Sequence, residues 1–170
     1  MASGFFFGSS CCSIYGNSVT KNSCGIDLSE SSSNIVYSNS IKDNTGTDMA
    51  NPGISISSSL DNIIFKNNIT SNDDGLFVGS SSGNKIYHNN FINNTNQVFF
   101  WGGVLANFWD DDYPSGGNYW SDYTGIDEKN GPNQDLPRSD GIGDSPYVID
   151  ENNQDRYLSY VTLVSIKSFQ

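Results

Sequence analysis

The chain has little positive charge and no long apolar segment. Only 8 of its 170 residues are Lys or Arg, against 19 Asp or Glu, and the net charge is −11. Proteins that bind nucleic acid neutralise phosphates with Lys and Arg, so nucleic acid is excluded as the expected partner. The acidic balance suits an extracellular or surface protein, or one that binds divalent cations. No run of 18 apolar residues is present, so no membrane span is predicted.

Cysteine and histidine are scarce as well. The chain has Cys11, Cys12, Cys24 and a single histidine, His88. Three cysteines near one end do not form a disulfide framework, so we expect small buried residues, with a bridge from Cys24 to Cys11 or Cys12 as the alternative.

The first ten residues lack the basic start and apolar centre of a signal peptide. They already look like the repeat described below, so we expect a fragment of a longer protein.

Asparagine, by contrast, is abundant and recurs at a fixed spacing. One series steps by 22, 28 and 22 residues through Asn22, Asn44, Asn72 and Asn94. Two further Asn series and one Gly series keep the same register: Asn34, Asn62 and Asn84; Asn39, Asn67 and Asn89; and Gly25, Gly53 and Gly75. Self-similarity at a fixed period indicates stacked units, here of about 22 residues with an insertion of six in the second.

Each unit contains three short segments in which apolar and polar residues alternate. In the first unit these segments centre on Val19, on the pair Ile26 and Leu28, and on Val36. Alternation with a period of two predicts strands, and the Asn, Ser and Gly between them predict turns. Three short strands per unit predict an all-β, single-stranded parallel β-helix of about four to five coils, each rising about 4.8 Å.

The recurring asparagines have a predicted structural role in this fold. Side chains stacked one coil apart can bond to their own copies, as in amide ladders. We predict one ladder from the series that begins at Asn34 and a second from the series that begins at Asn39. The short amide also tolerates left-handed backbone geometry, so these residues are expected to make the turns themselves.

The composition changes after the last repeat. The predicted organisation is β-helix coils over residues 4–109, an irregular cap rich in Asp, Gly and aromatic residues over 110–158, and a terminal strand or the start of a missing segment over 159–170. Three tryptophans, Trp101, Trp109 and Trp120, are expected to cover the last apolar coil.

Several segments resemble the NosD-type right-handed β-helix repeat. The repeat units NSVTKNSCGIDL (17–28) and SGNKIYHNNF (82–91) carry the likeness. The tail is more specific, because NFWD (107–110), GGNYWSDYTG (116–125), DGIGDSPYVID (140–150) and NQDRYL (153–158) look like the C-terminal block of archaeal and bacterial surface proteins. The resemblance implies a right-handed parallel β-helix of the pectate-lyase-like group, which includes carbohydrate-binding proteins and sugar hydrolases. It also implies export and a place in a larger extracellular or cell-surface protein.

The resemblance also raises the question of copper. The founding member of the family is linked to maturation of the copper centre of a nitrous oxide reductase. Copper prefers thiolate, thioether and imidazole ligands. This chain offers His88, Met1 and Met49, with its three cysteines at the opposite end from His88, and these spacings do not assemble a copper site. No copper is therefore expected, and a NosD-like copper-maturation accessory protein is kept as an alternative.

Aromatic side chains are predicted to form columns on the outside of the coils. One column consists of Tyr15, Tyr37, Phe65 and Tyr87, and a second of Phe77 and Phe99. Such rings can bind sugars through CH–π contacts while neighbouring Asn and Ser side chains donate hydrogen bonds, so these six residues are the predicted carbohydrate-binding site. Alternatively, the tail or a neighbouring domain covers the rings, or they stack on each other.

Acidic residues are densest in the tail. Asp140 and Asp144 flank a short Gly-Ile-Gly loop, and Asp127 and Asp135 can complete a set of oxygen ligands. Such a set suits a structural Ca²⁺ ion, which takes six to eight oxygens. The alternative is that these carboxylates cap turns by accepting backbone N–H bonds.

No catalytic residues are predicted in the coils. Glycoside hydrolysis needs two carboxyl groups about 5–10 Å apart. The outward column that begins at Asp27 continues with Ser55, Phe77 and Phe99, so it holds a single acid. We therefore predict a non-catalytic extracellular or cell-surface β-helix module, a scaffold or a carbohydrate-binding surface for glycans or neighbouring domains. The alternative is a fragment of a polysaccharide lyase or glycoside hydrolase.

Overall fold

The computed structural model describes residues 8–46, 51–103 and 105–163, and within these ranges it contains strands and turns but no helix. The strands are, in chain order, β1 (Ser13–Tyr15), β2 (Ser18–Thr20), β3 (Ile26–Asp27), β4 (Ile35–Tyr37), β5 (Ser40–Lys42), β6 (Pro52–Ser57), β7 (Ile63–Phe65), β8 (Asn68–Thr70), β9 (Asp74–Gly79), β10 (Lys85–Tyr87), β11 (Asn90–Ile92), β12 (Asn96–Trp101), β13 (Tyr119–Trp120), β14 (Lys129–Asn130), β15 (Leu136–Pro137), β16 (Tyr147–Val148) and β17 (Gln154–Asp155). No helix long and apolar enough to cross a membrane occurs in these ranges.

Three parallel sheets wrap the chain into a coil. Face 1 consists of β1, β4, β7 and β10; face 2 of β2, β5, β8, β11 and β13; and face 3 of β3, β6, β9 and β12. Equivalent residues pair from one coil to the next, so that Ile26, Ile54 and Leu76 are vertical neighbours. Four coils and part of a fifth result, and the predicted all-β parallel β-helix of four to five coils is confirmed.

The interior is a stack of mainly aliphatic side chains. In each three-residue strand of faces 1 and 2 the central residue is buried. These buried residues are Ile14, Val36, Ile64 and Ile86 on face 1, and Val19, Ile41, Ile69 and Phe91 on face 2. These segments form strands because a strand directs every second side chain to the same side, and here those side chains are apolar. Their burial in the core stabilises the coil.

The coils turn at residues with left-handed backbone geometry. Most of these residues come immediately before the inward asparagines, as Ser33 (φ 58°) and Asp61 (φ 55°) do before Asn34 and Asn62. At a further turn the left-handed residues, such as Ser58, come before buried serines. The expectation that the ladder asparagines themselves adopt this conformation is wrong. Their side chains point inward to bond the neighbouring coils, so the preceding residue makes the turn.

The repeated glycines lie where the chain enters face 3. A Cβ atom at Gly53 would lie 3.0 Å from the carbonyl oxygen of Gly75, and one at Gly75 would lie 2.6 Å from the carbonyl oxygen of Gln97. The next coil therefore leaves no room for a side chain, which explains why this position recurs as glycine.

Three chains of asparagine side chains connect the coils. Ladder A contains Asn34, Asn62, Asn84 and Asn107; ladder B contains Asn17, Asn39, Asn67, Asn89 and Asn118; and ladder C contains Asn22, Asn44, Asn72 and Asn94. At each step the backbone N–H and the Nδ2 of one rung donate to the Oδ1 of the next, as Asn39 does to Asn67 at 3.0 and 2.9 Å. Ladders A and B continue the two predicted series beyond the last repeat. Ladder C is a third, separate ladder, which was not predicted.

The stacked coils continue beyond residue 109, where the predicted coil region ends. The C-terminal end of the β-helix is called its upper end below. Strand β13 pairs in parallel with β11, so that Trp120 lies one coil above Phe91, and Asn118 is the rung of ladder B above Asn89. The rest of the described tail is irregular apart from the antiparallel pairs β14–β15 and β16–β17. Within the predicted terminal segment Ser159 bridges to Tyr119. Residues 4–7 and 164–170 of the predicted segments lie outside the described ranges.

Aromatic rings close the upper end of the core. The rings of Phe91, Trp120 and Tyr147 stack with centroid spacings of 4.5 and 4.3 Å, and Trp109 is buried beside Trp120. Trp101 was expected to join them but is 57% exposed. Strand alternation explains this correction, because Trp101 is an outward position at the end of β12.

Candidate binding face, acidic loop and ladder ends

Face 1 carries a stack of four outward rings, the aromatic column, made of Tyr15, Tyr37, Phe65 and Tyr87. Consecutive ring centroids are 4.9, 5.3 and 5.6 Å apart, with interplanar angles of 13°, 14° and 16°. Partner residues in adjacent coils lie about 4.8 Å apart, so coil stacking alone brings the rings into contact. The rings form an offset stack, in which each one covers part of its neighbour's face.

The column keeps polar groups available at its outer edge. Tyr15 is 60% exposed, and the other three rings are half-buried. Among the described residues, the hydroxyls of Tyr15, Tyr37 and Tyr87 have no hydrogen-bond partner. Burial, with the charge of Asp111 as the smaller cause, raises the pKa of Tyr87, so this hydroxyl keeps its proton and can donate.

A second outward column runs beside the aromatic one. Its members, in register, are Ile35, Ile63, Lys85 and Phe108. At the other side, the Nζ of Lys66 lies 5.8 Å from the centroid of the Phe65 ring. These five residues and the aromatic column together are called the candidate face below. It is a flat surface with an apolar centre and cationic groups on a chain of net charge −11.

The tail is fastened to the upper end of the candidate face. The ring of His88 meets Tyr87 edge-on at 5.1 Å, and its Nε2 donates to the carbonyl oxygen of Ser115 at 2.8 Å. The Ser115 hydroxyl donates to Asp111 at 2.9 Å. A serine nucleophile would instead give its proton to the imidazole, so these bonds are of the kind that position a loop.

The other predicted ring pair lies on face 3. Phe77 and Phe99 stack at 5.9 Å with an interplanar angle of 28°, in the column that contains Asp27 and Ser55. The Phe77 ring lies over Gly79, where an added Cβ would be 3.0 Å from it. The four-ring aromatic column and this pair are on different faces, so the six predicted residues form two separate surfaces.

The segment 127–144, called the acidic loop below, contains the four carboxylates predicted to bind calcium. Asp127 accepts the N–H groups of Asp140 and Gly141 at 3.1 and 3.0 Å. Asp144 accepts the N–H groups of residues 128 and 129, both at 3.0 Å. Asp135 is exposed. Within the described ranges, no three Asp, Glu, His or Cys side chains form a group that could hold a metal ion.

Two oxygens in this loop nevertheless have no bonding partner among the described residues. They are the buried Oδ2 of Asp144 and the buried Oε1 of Gln134. The Nε2 of Gln134 donates to Asp140 at 3.2 Å, so this side chain lies against one of the predicted ligands. The carboxylate bonds to backbone N–H groups match the turn-capping alternative.

The described residues do not offer a copper ligand set. Cys11 and Cys12 are exposed, Cys24 is half-buried, and all three are free thiols. Cys12 lies in the first described coil and His88 three coils above it, about 14 Å away by coil rise. The expectation of buried thiols is wrong for Cys11 and Cys12. Cys11 is an outward turn residue with left-handed geometry, like Ser33 and Asp61, which are exposed too. Cys12 occupies the first described rung of ladder A, and no described coil lies below it. Met1 and Met49 lie outside the described ranges.

Sequence reasoning missed the side chains that end ladders A and B. In each case one oxygen accepts the backbone N–H of the last rung and the indole N–H of a buried Trp. The acceptor and its donors are Asn153 with Asn107 and Trp109 on ladder A, and Asp155 with Asn118 and Trp120 on ladder B. The sequence does mark the two last rungs, because the pattern Asn-aromatic-Trp occurs at both. It does not indicate which residues accept their bonds.

Three parallel faces, stacked asparagine ladders and a capped upper end define a parallel β-helix repeat protein. A family model described as "Periplasmic copper-binding protein (NosD)" matches residues 1–125. Because this match spans well over half of the chain, the protein belongs to the NosD family. No curated protein and no solved structure matches the chain significantly. The family is described as periplasmic, which agrees with a place outside the cytoplasm.

Proposed function

We propose that this chain is a non-catalytic β-helix module outside the cytoplasm that binds carbohydrate through the candidate face. The observation that supports the proposal best is the aromatic column. It places four rings in line over three coil steps, about 15 Å, without interruption. A long, flat and partly apolar surface suits an extended chain of sugars better than a compact small molecule.

The geometry of the stack determines which contacts such a chain can make. The inner rings Tyr37 and Phe65 are covered on both sides by neighbours, so Tyr15 offers the most open ring for CH–π contact. The free hydroxyls of Tyr37 and Tyr87 can exchange hydrogen bonds with sugar hydroxyls, and Lys66 can donate further bonds. Binding therefore relies on ring edges and hydroxyls more than on ring faces.

Two observations favour a binding role over a catalytic one. The column through Asp27 holds a single acid, whereas glycoside hydrolysis needs a pair. The cleft lined by Gln97, Asp122 and Tyr147 has a volume of about 210 Å³, below the roughly 300–1,000 Å³ of ordinary small-molecule sites. A polysaccharide-active enzyme is the alternative, and assays for reducing ends and unsaturated products test it.

The test is a glycan array probed with the wild-type chain and matched variants. Tyr37→Phe and Tyr87→Phe remove one hydroxyl each and keep the ring stack, and Phe99→Leu alters the rings of face 3 as the control. Each lost hydrogen bond is expected to weaken binding about 2- to 10-fold, and the control is expected to bind like the wild type. Failure of the wild type to bind any glycan contradicts the proposal and leaves the scaffold role. Loss of binding in Phe99→Leu alone contradicts the choice of face.

A further inference from the structure

The ends of ladders A and B have the same geometry but one chemical difference. On ladder A the amide oxygen of Asn153 accepts the N–H of Asn107 and the indole N–H of Trp109, both at 2.9 Å. On ladder B a carboxylic acid, Asp155, fills this position and accepts the equivalent bonds at 2.7 and 2.9 Å. An amide is thus sufficient to end a ladder, and the acid adds the ability to ionise.

The surroundings of Asp155 do not suit a charge. The residue is fully buried, and its Oδ2 accepts all three bonds, two from Asn118 and one from Trp120. Its Oδ1 is buried without a partner among the described residues. The backbone of Gly117 packs against it so closely that an added Cβ would overlap Oδ1. An ionised carboxylate would therefore leave one buried, charged oxygen without a hydrogen-bond donor among the described residues.

The neighbouring charged groups do not offset the negative charge of an ionised Asp155. Asp110, from the segment before β13, is a like charge that is already paired with Arg156 at 3.0 and 2.6 Å. Tyr147 of β16 pairs with Asp155 in the hairpin, and its hydroxyl donates to Asp122 at 3.2 and 3.1 Å. No described cation bonds to Asp155 itself.

We propose that Asp155 is a proton-operated latch, which closes the C-terminal cap over ladder B when it is protonated and loosens the cap when it ionises. Loosening here means separation of β17 from Trp120 and Asn118, with the lower coils left intact. Ladder A, which ends on a neutral amide, stays closed over the same pH range and acts as the fixed side of the cap.

The direction of the pH dependence follows from linkage. Burial raises the pKa of Asp155 to about 7, with Asp110 adding to the rise and the bonds from Asn118 and Trp120 opposing it. In the open cap the carboxyl has an ordinary pKa of about 3.9. The closed cap therefore binds the proton more tightly. Closing is fully favoured below about pH 4, weakens by up to tenfold per pH unit as the pH rises to about 7, and is weakest above that.

The experiment compares indole hydrogen exchange at Trp120 and Trp109 by NMR in the wild-type chain between pH 4 and 9. The ratio of the two rates cancels the intrinsic effect of pH on exchange. We expect exchange at Trp120 relative to Trp109 to rise by at least tenfold from pH 4 to 8, and to stay level in Asp155→Asn. The reverse substitution, Asn153→Asp, should add a pH dependence at Trp109, so that the ratio of the two rates changes less with pH than in the wild type.

A constant ratio in the wild type overturns the proposal, and so does a ratio that still rises in Asp155→Asn. If neither variant folds, the ¹³C carboxyl resonance of Asp155 is titrated in the wild type. A midpoint between about 6 and 8 supports the latch, and a midpoint below 5 overturns it. Neither measurement depends on carbohydrate binding.

Discussion

At the scale of single residues, asparagine connects each coil to the next. The backbone N–H and the side chain of Asn67 take part in six hydrogen bonds: the N–H and Nδ2 donate to Asn89, Nδ2 also donates to the carbonyls of Val36 and Phe65, and Oδ1 accepts two bonds from Asn39. One side chain thus satisfies polar groups of three coils. Serine does a smaller version of the same task at another turn, where the hydroxyls of Ser59 and Ser81 accept the N–H of Ser31 and Ser59 one coil away.

Removal of one inner rung should be costly. Asn67→Ala leaves two donors of Asn39 and the carbonyl of Val36 without their partners in a buried position, and each such group costs about 1–3 kcal/mol. We expect a loss of about 3–5 kcal/mol in the free energy of unfolding, measured by chemical denaturation. Asn17→Ala at the exposed first rung is the matched control and should cost less than about 1 kcal/mol. Equal losses at both positions would show that the ladders contribute little.

At the scale of elements, strands of two or three residues hold together only because they stack. Strands such as β4 and β7 were predictable, since local alternation and the fixed period agree there. Strand β13 was not, because the step from Asn89 to Asn118 is 29 residues and the intervening tail has no period. The same applies to Asn153 and Asp155, which lie 46 and 37 residues from the rungs they bond and meet them only in the folded chain.

Calcium binding by the acidic loop stays a prediction at this scale. If the predicted carboxylates Asp127, Asp135, Asp140 and Asp144 bind Ca²⁺, added Ca²⁺ stabilises the folded chain by mass action. The melting temperature should then be higher in millimolar CaCl₂ than in EDTA, and Asp140→Asn should abolish the difference. Asp150→Asn, outside the loop, is the control. An identical melting temperature in CaCl₂ and EDTA would favour turn capping alone.

At the scale of the whole molecule, the described chain is a β-helix whose upper end is covered by aromatic rings. Its faces carry columns of outward side chains that are partly exposed. The sequence predicts which rings share a column, because register follows from the period. It does not predict how far each ring covers the next. Because the stacked rings cover part of each other's faces, we propose that sugars contact the hydroxyls of Tyr37 and Tyr87 more than the ring faces. The family is described as periplasmic and copper-binding, and within the described ranges no three His, Cys, Asp or Glu side chains form a group that could hold a metal ion.

The most direct test of the proposed function is an NMR titration of the protein, labelled in its Tyr and Phe rings, with the polysaccharide that gives the strongest array signal. The account predicts saturable shifts of the rings on face 1 and unchanged signals from those on face 3; the reporters are Tyr15, Tyr37, Phe65 and Tyr87 against Phe77 and Phe99. Shifts confined to Phe77 and Phe99, or no saturable shift of any ring, would contradict it.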